Sequence, residues 1–506
     1  MTTLQSPRRQ VVVSSDAWLA FAVGVVAFLI GVVGSWRPSF WYDEAATVFS
    51  AGRPLPDLLR LLRHQDAVHG LYYLSMNGWF RLAGSSEFAA RLPSALAVGV
   101  AAAGVAVLAT MLGDRRTAVY SGLVFAILPR VTWAAVEARE FALPTAAATW
   151  LTVLFLIAVR RRRFGWWLGY LLGAVLLTAA FIPAAFLVMA HGVTLWWRRD
   201  FRSAKAGFIA AAVGAGLVSG PFVVFVQGQS GEVDWIPPLD GHVFRSVGEY
   251  QWFVGAPVFA VLFAGLLVVG AVLTRARGAV VALAVPWAVV PTVALIAYSL
   301  RSPYYVDRYL TFATPAIALL GGAALVSLAR LRAWLPVVVL IALAVAALPN
   351  YTAQRGDWPK PSEMDFSDVA AFVQRHAQPG DCVAFAEHVS WNPTSARVAL
   401  NAHPEAFAGL RDVSLGQSAL GPGWLWDQTL PPAAIPDRLA DCAVLWFVTD
   451  TERAEPRTIR HTSNEVWRLP PYHFANSDDF AQLRAQGFGV DEQFPIHMSQ
   501  VVRLTR

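Results

Sequence analysis

Residues 17–46 read AWLAFAVGVVAFLIGVVGSWRPSFWYDEAA. The uncharged run from Ala17 to Val33 approaches the ~20 residues that an α-helix needs to cross a ~30 Å hydrocarbon core. It is followed by Trp36-Arg37-Pro38, with no small-residue cleavage site, so the first segment is expected to remain as an anchor. Directly beyond it stands Trp41-Tyr42-Asp43-Glu44, two adjacent carboxylates at a membrane surface. Ionisable groups beside a bilayer are costly unless solvated, paired or used.

The pattern extends outward from this stretch. The 506 residues are 56% hydrophobic and 15% charged, with mean hydropathy +0.47, which excludes an ordinary soluble globular protein. Span-length apolar segments lie at 15–36, 90–112, 117–136, 141–159, 165–180, 182–197, 205–226, 254–274, 279–299, 309–329 and 333–350, about eleven transmembrane helices. The short pair around Phe181-Ile182-Pro183 reads either as a tight turn or as a kinked re-entrant pair. Arg8-Arg9, Arg115-Arg116, Arg160 to Arg163, Arg198-Arg199 with Arg202 and Lys205, Arg275 with Arg277, and Arg330 with Arg332 fall on every second loop. Basic residues mark cytoplasmic loops, so the N-terminus is expected inside and 37–89, 137–140, 227–253, 301–308 and everything after about 350 outside. These clusters, and the net charge of +6, are accounted for by topology and lipid headgroups and call for no nucleic acid.

Beyond Asn350 the chain turns polar and Pro-rich and lacks any span-length apolar run. Asp365 to His376 and Asp478 to Gln486 have helical periodicity, whereas Cys382 to Ala386, Cys442 to Thr449 and Met498 to Leu504 read as strands. The expectation is a transmembrane region over 1–350, with a first outer loop at 37–89, and a soluble extracytoplasmic α/β domain over 351–506. The Pro-, Gly- and Trp-rich stretch from Ala386 to Pro436 is mostly loop. Cys382 and Cys442 are the only cysteines; a disulfide suits an exported domain, and two buried free thiols are the alternative. Trp391, Trp424, Trp426 and Trp467 offer faces for sugar rings, or fill a small core.

Three outer segments carry the candidate chemistry. The first joins Asp43 and Glu44, the amphipathic stretch Leu55 to Arg63 with Leu58, Leu59 and Leu62 toward lipid, and His64-Gln65-Asp66-Ala67-Val68-His69-Gly70-Leu71-Tyr72-Tyr73. The acids there act either in chemistry or as helix-end caps, Glu44 being the better cap. The second is Glu137-Ala138-Arg139-Glu140-Phe141-Ala142-Leu143, a catalytic acid or a local ion pair at a turn. The third is Tyr304-Tyr305-Val306-Asp307-Arg308-Tyr309-Leu310, whose arginine either snorkels to lipid or grips a substrate phosphate in bidentate fashion. His64, Asp66 and His69 suit sugar or phosphate hydrogen bonding, simple helix-end polarity or a divalent ion; no Asp-x-Asp stands near them, and no metal or other cofactor is expected.

The Tyr-Asp-Glu motif, the His-Gly-Leu-Tyr-Tyr-Leu run, Glu-Ala-Arg-Glu-Phe-Ala-Leu, and Asp-Arg-Tyr-Leu with Pro315 together resemble the GT-C superfamily of membrane glycosyltransferases over about 15–330. The branch is that of protein O-mannosyltransferases, the lipid A aminoarabinose transferase and RgtA/B/C/D-like enzymes, actinobacterial in type. The resemblance implies a polyprenyl-phosphate sugar as donor, with its lipid in a groove between spans. It implies Asp43 as the base on the acceptor hydroxyl, Glu137 as a second acid, and Arg308, with Arg139 and Tyr309, at the donor phosphate. His64, Asp66, His69 and Tyr72 are expected at the sugar or acceptor. Val68-His69-Gly70 stands where protein O-mannosyltransferases typically carry His-Pro-Pro, so the acceptor is expected to differ.

The expected protein is therefore a plasma-membrane, multi-pass inverting glycosyltransferase. It moves a sugar, mannose first, from a polyprenyl-phosphate carrier to a glycan, lipid or protein acceptor outside. The alternatives are arabinosyl transfer, an inactive scaffolding homologue, or a transporter or flippase of lipid-linked glycans. A transporter is expected to carry ionisable groups at mid-bilayer on repeated, interrupted helices, and this chain gathers them at one face.

Overall fold

The computed structural model describes residues 14–274, 278–462 and 466–506; Arg8, Arg9, Arg275 and Arg277 lie outside the described residues. The chain is a polytopic α-helical membrane protein with a C-terminal α/β layer, and each apolar segment of the sequence falls on helix. Among the described residues, six helices are long and apolar enough to cross a membrane: Glu87–Leu112, Ala142–Arg161, Arg199–Gln227, Ala279–Ser299, Asp307–Leu328 and Leu335–Ala353. Val243–Phe253 and Pro257–Leu273, bent by 90°, make a seventh if they are one span, and Asp16–Val32, Phe164–Ala180 and Ile182–Trp197 are shorter apolar helices.

Two breaks in these helices shape the site. The segment 117–136 is not a single helix: Leu128 is extended (ψ 123°) ahead of Pro129, ending Arg115–Ile127 and starting Pro129–Ala134. A residue before proline is pushed out of the α region, and proline suits a helix start because it lacks an N–H to leave unpaired. At Phe181 the chain turns through the short 3₁₀ segment Ile182–Ala185, leaving the Phe181 ring 5.8 Å from that of Tyr309.

Small residues let the helices approach, as packing between apolar helices in lipid requires. A Cβ on Gly24 would sit 2.8 Å from the Gly99 carbonyl, and one on Gly99 2.9 Å from the Gly24 carbonyl. The basic clusters meet at one end of the bundle, where Arg115 pairs with Asp16 at 2.8 Å, Arg160 donates to the Met111 carbonyl and Arg330 to the Leu273 carbonyl. The acidic segments gather at the other.

The C-terminal part holds a five-stranded mixed sheet in the order β2-β1-β3-β7-β6. Its strands are β1 (Cys382–Phe385), β2 (Arg411–Asp412), β3 (Val444–Asp450), β6 (Gly489–Pro495) and β7 (Ser499–Thr505); β4 (Arg457–Arg460) and β5 (Val466–Leu469) form a separate antiparallel pair. β1 runs parallel to β2 and β3, and β7 antiparallel to β3 and β6. β1 is buried on both faces, which is why it reads as a continuous apolar run. The helices Phe366–His376 and Asp478–Ala485 lie where periodicity placed them, whereas β2, β4, β5 and β6 were not anticipated.

Cys382 and Cys442 are bridged, with Cα atoms 5.8 Å apart. Replacing both with serine is expected to cost about 2–4 kcal/mol, because the bridge restricts the unfolded chain. Thermal unfolding of wild type with and without reductant should show the same drop, and no drop in either comparison would refute it.

The α/β layer shares its core with segments 37–89 and 137–140: Phe40, Trp41, Ala45, Val48 and Ala138 pack in one cluster with Met364, Phe366, Val369 and Trp391. The stretch 415–430 folds back on itself and seats on the first of these segments. Arg53 donates to the Leu425 carbonyl (2.7 Å), Arg60 to the Leu420 carbonyl (2.9 Å) and the Trp426 indole N–H to the Tyr42 hydroxyl oxygen (2.6 Å). This also corrects the lipid-facing reading of Leu55 to Arg63: Leu58 and Leu61 are buried against Tyr72, Tyr73 and Met76, leaving Leu59 exposed. Trp391 is buried, Trp426 and Trp467 are half-buried, and Trp424 is exposed.

Candidate active site

Helix Tyr42–Ala51 begins at the tetrapeptide, with Asp43 and Glu44 in its first turn, where the positive end of the helix favours acids. The two acids then part. Glu44 is fully buried and accepts two hydrogen bonds from Arg91, at 2.8 and 2.6 Å, and one from the Ala138 N–H at 2.8 Å. Arg91 also donates to the carbonyls of Ser35, Pro38 and Ser39. Glu44 thus ties the exit of the first span to the Glu87–Leu112 helix and to the loop before Phe141, and its oxygens are occupied. The Asp43 side chain is half-buried, and among the described residues none hydrogen-bonds to its carboxylate.

Glu137 is fully buried, with Oε2 accepting from the Trp41 indole at 3.0 Å and Oε1 from Lys360 Nζ at 2.5 Å. An acid so enclosed is not open to orient an acceptor, which corrects that expectation. Burial pushes Glu137 up to about 7, with Glu44 adding to the rise and Lys360 opposing it. A carboxyl raised above its unfolded value favours folding at low pH, and that contribution is lost as pH climbs through the folded value. Lys360→Met removes the opposing charge, so its unfolding temperature should keep falling with pH beyond 7, where the Glu137 contribution in wild type levels off. Parallel curves from pH 5 to 9 would show that Lys360 does not hold this acid.

A second network lies beside the first. Arg139 donates to His69 Nε2 (2.9 Å), to the Tyr73 hydroxyl (3.1 Å) and, more weakly, to the Asp43 main-chain carbonyl (3.4 Å). His69 Nδ1 lies 2.8 Å from Glu140 Oε1. A guanidinium only donates, so Nε2 accepts in that contact; burial and Arg139 oppose a charge on the ring, but Glu140 beside Nδ1 raises its pKa above the ordinary value. Burial opposes the charge on Glu140, but His69 and Arg139 outweigh it and hold its carboxyl down at about 2. The Tyr73 hydroxyl donates to Asp66 Oδ2 at 2.9 Å. Asp66, left-handed at φ 58°, donates its N–H to Glu232 Oε1 at 2.5 Å, and the Ala67 N–H reaches Gln229. Burial and the Asp66 charge push Glu232 up to about 8. Segments 37–89, 137–140 and 227–253 are joined here.

Tyr72 is buried in the same region, close enough to Glu140, Arg139, Glu44 and Glu137 to feel their charges, and among the described residues no group bonds its hydroxyl. His64 stays exposed at its helix end, bonded to the Arg60 carbonyl. Asp66, His69 and His64 do not converge, and among the described residues no His, Cys, Asp and Glu cluster is placed to hold a metal ion.

Arg308 lines a cavity of about 160 Å³ with Trp41, Arg130, Trp133, Tyr250, Asn350 and Gln354. Its guanidinium carbon lies 5.7 Å from the Trp41 ring and 5.4 Å from that of Trp235. Asp307 accepts from Arg130 at 2.9 Å and from the Arg308 N–H at 2.6 Å. Tyr309 lies near Asp43, Glu140, Arg308 and Arg139. Trp41 is the shared wall, facing Glu137 on one side and the arginine cavity on the other.

Lys360, Arg91, Tyr73, Arg130 and Glu232 escaped the sequence reading as site residues. Two of them left signals. Lys360 lies between Pro359 and Pro361 just after the last span, which holds it extended. Arg130 is an arginine inside an apolar segment, and intramembrane charge points to function by default.

Residues 71–224 match the model of a family described as dolichyl-phosphate-mannose-protein mannosyltransferase. No curated protein matches the chain. Among solved structures, ArnT from Cupriavidus metallidurans in the apo state is similar, with a TM-score of 0.55 and 14% identity over 97% of this chain and 98% of that one. The same protein bound to undecaprenyl phosphate gives the same values. At that identity the likeness is one of fold.

Proposed function

We propose that this chain, a GT-C membrane glycosyltransferase by fold and family match, transfers a sugar from a polyprenyl-phosphate carrier to an acceptor hydroxyl, with inversion. The observation that carries the reading is the state of the acids. Glu44, Glu137, Glu140 and Asp66 each have a partner, while the half-buried Asp43 carboxylate has no hydrogen bond among the described residues. A general base needs an ionised, accessible oxygen within reach of the proton it removes. Asp43 takes the acceptor proton as the acceptor oxygen bonds to the anomeric carbon. The bond from that carbon to the phosphate oxygen breaks, and the phosphate leaves with the electron pair. Arg308, across the Trp41 wall, counters the charge that builds on the leaving group, with Tyr309 beside it. Arg139 holds the Asp43 main chain rather than the phosphate.

The family description and the undecaprenyl phosphate on the ArnT neighbour support a lipid-phosphate donor. Mannose is our first choice of sugar, with arabinose second. The basic clusters favour a cytoplasmic N-terminus in the plasma membrane, the acid cluster and the α/β region 351–506 lying outside. Radiolabelled polyprenyl-phosphate mannose and polyprenyl-phosphate arabinose, supplied to membranes carrying wild type or Asp43→Asn with and without EDTA, test the proposal. Asp43-dependent transfer from one donor, unaffected by EDTA, is the expected result. Transfer from neither, with donor and acceptor access demonstrated, would count against it.

A further inference from the structure

At the end of the bundle opposite the acid cluster lies a cavity of about 450 Å³ that the proposed reaction does not use, within the size range of small-molecule sites. Its floor is apolar: Met111, Leu112, Val159, Phe201 and Ala279. Its rim carries Arg160, Arg162 and Arg198, with Asp200 as the one acid. Asp200 is taken by Arg198 in a bidentate pair at 2.8 and 2.5 Å. Arg160 uses one nitrogen on the Met111 carbonyl at 2.7 Å. Arg162, left-handed at φ 55° where the Ala142–Arg161 helix ends, has a guanidinium with no bonded partner among the described residues. The lining is therefore net positive.

A second observation gives the depth. Phe164, Trp166, Trp196 and Trp197 are exposed large rings on the helix ends around this cavity, and the Lys205 ammonium sits 3.7 Å from the Trp196 ring centroid. Tryptophans gather where headgroups meet hydrocarbon, so the arginine rim stands at phosphate level and the apolar floor at acyl level.

We propose that this cavity binds an anionic phospholipid of the adjacent leaflet. The headgroup phosphate lies among Arg160, Arg162 and Arg198, and the first part of an acyl chain lies over Met111, Val159 and Phe201. A zwitterionic lipid brings its own cation to a rim that is already positive, whereas an anionic one brings only the charge that fits.

Native mass spectrometry of the full-length protein in detergent, titrated with short-chain phosphatidylglycerol or phosphatidylcholine, tests this without reference to sugar transfer. Wild type should prefer phosphatidylglycerol, and Arg162→Gln should weaken that binding about fivefold, the loss expected for one basic residue at a lipid surface. Arg161→Gln removes the same charge from a residue outside the cavity and should leave the preference intact. Equal binding of the two lipids, or equal loss in the two variants, overturns the proposal. So does displacement of the lipid by millimolar inorganic phosphate, which would make the rim a small-anion site.

Discussion

Asp43→Asn should lower sugar transfer by about 10²–10⁴-fold, the usual contribution of a positioned base, while leaving the fold unchanged. The substitution is isosteric, and the carboxylate has no hydrogen bond to lose among the described residues. The unfolding temperature in detergent should therefore stay that of wild type, since a replacement away from packing and buried pairs shifts stability by no more than about 0.5 kcal/mol. Glu44, one residue on, gives the contrasting case: Glu44→Gln breaks a buried pair with Arg91 and should lose activity through lost structure. An Asp43→Asn protein with wild-type turnover would remove Asp43 from the chemistry and return the question to its neighbours.

Arg91→Ala should be the most damaging single change to stability, by about 3–5 kcal/mol, because it strands the Glu44 carboxylate in a buried site. Arg91 is wholly buried and its guanidinium satisfies three main-chain carbonyls as well as Glu44. The double variant Arg91→Met with Glu44→Leu should recover only the part of the loss due to the stranded carboxylate, since the Ser35, Pro38 and Ser39 carbonyls and the Ala138 N–H are left unpaired. Unfolding temperatures of the three proteins check both statements. If Arg91→Ala unfolds with wild type, the pair contributes little and Glu44 is free for another task.

The membrane fold was legible because the information is one-dimensional. Span length and hydropathy suffice for a helix whose backbone bonds are all internal, and the arginines of alternate loops do meet at one end. The site was legible only in part. Asp43, Arg308, His69 and Asp66 sit in local motifs, and the structure draws them toward common neighbours. Glu137 lies in a motif too, but its occupation depends on Lys360, 223 residues away, and no local pattern reports a contact at that range. The seat of 415–430 was hidden for the same reason: Arg53, Arg60 and Tyr42 meet main-chain and indole groups, for which the sequence holds no matching charge. The amphipathic Leu55–His64 helix misled because its apolar face meets Tyr72, Tyr73 and Met76, and periodicity cannot tell a protein wall from a lipid one.

Lys360 belongs to a segment that is itself tied down late. Asp365 accepts from the N–H groups of His497, Met498 and Ser499 and from the Ser499 hydroxyl. The order of synthesis then matters. A nascent chain can insert its helices and form the Glu44–Arg91 pair while still on the ribosome, but Glu137 lacks its settled lysine until residues near 500 have been made.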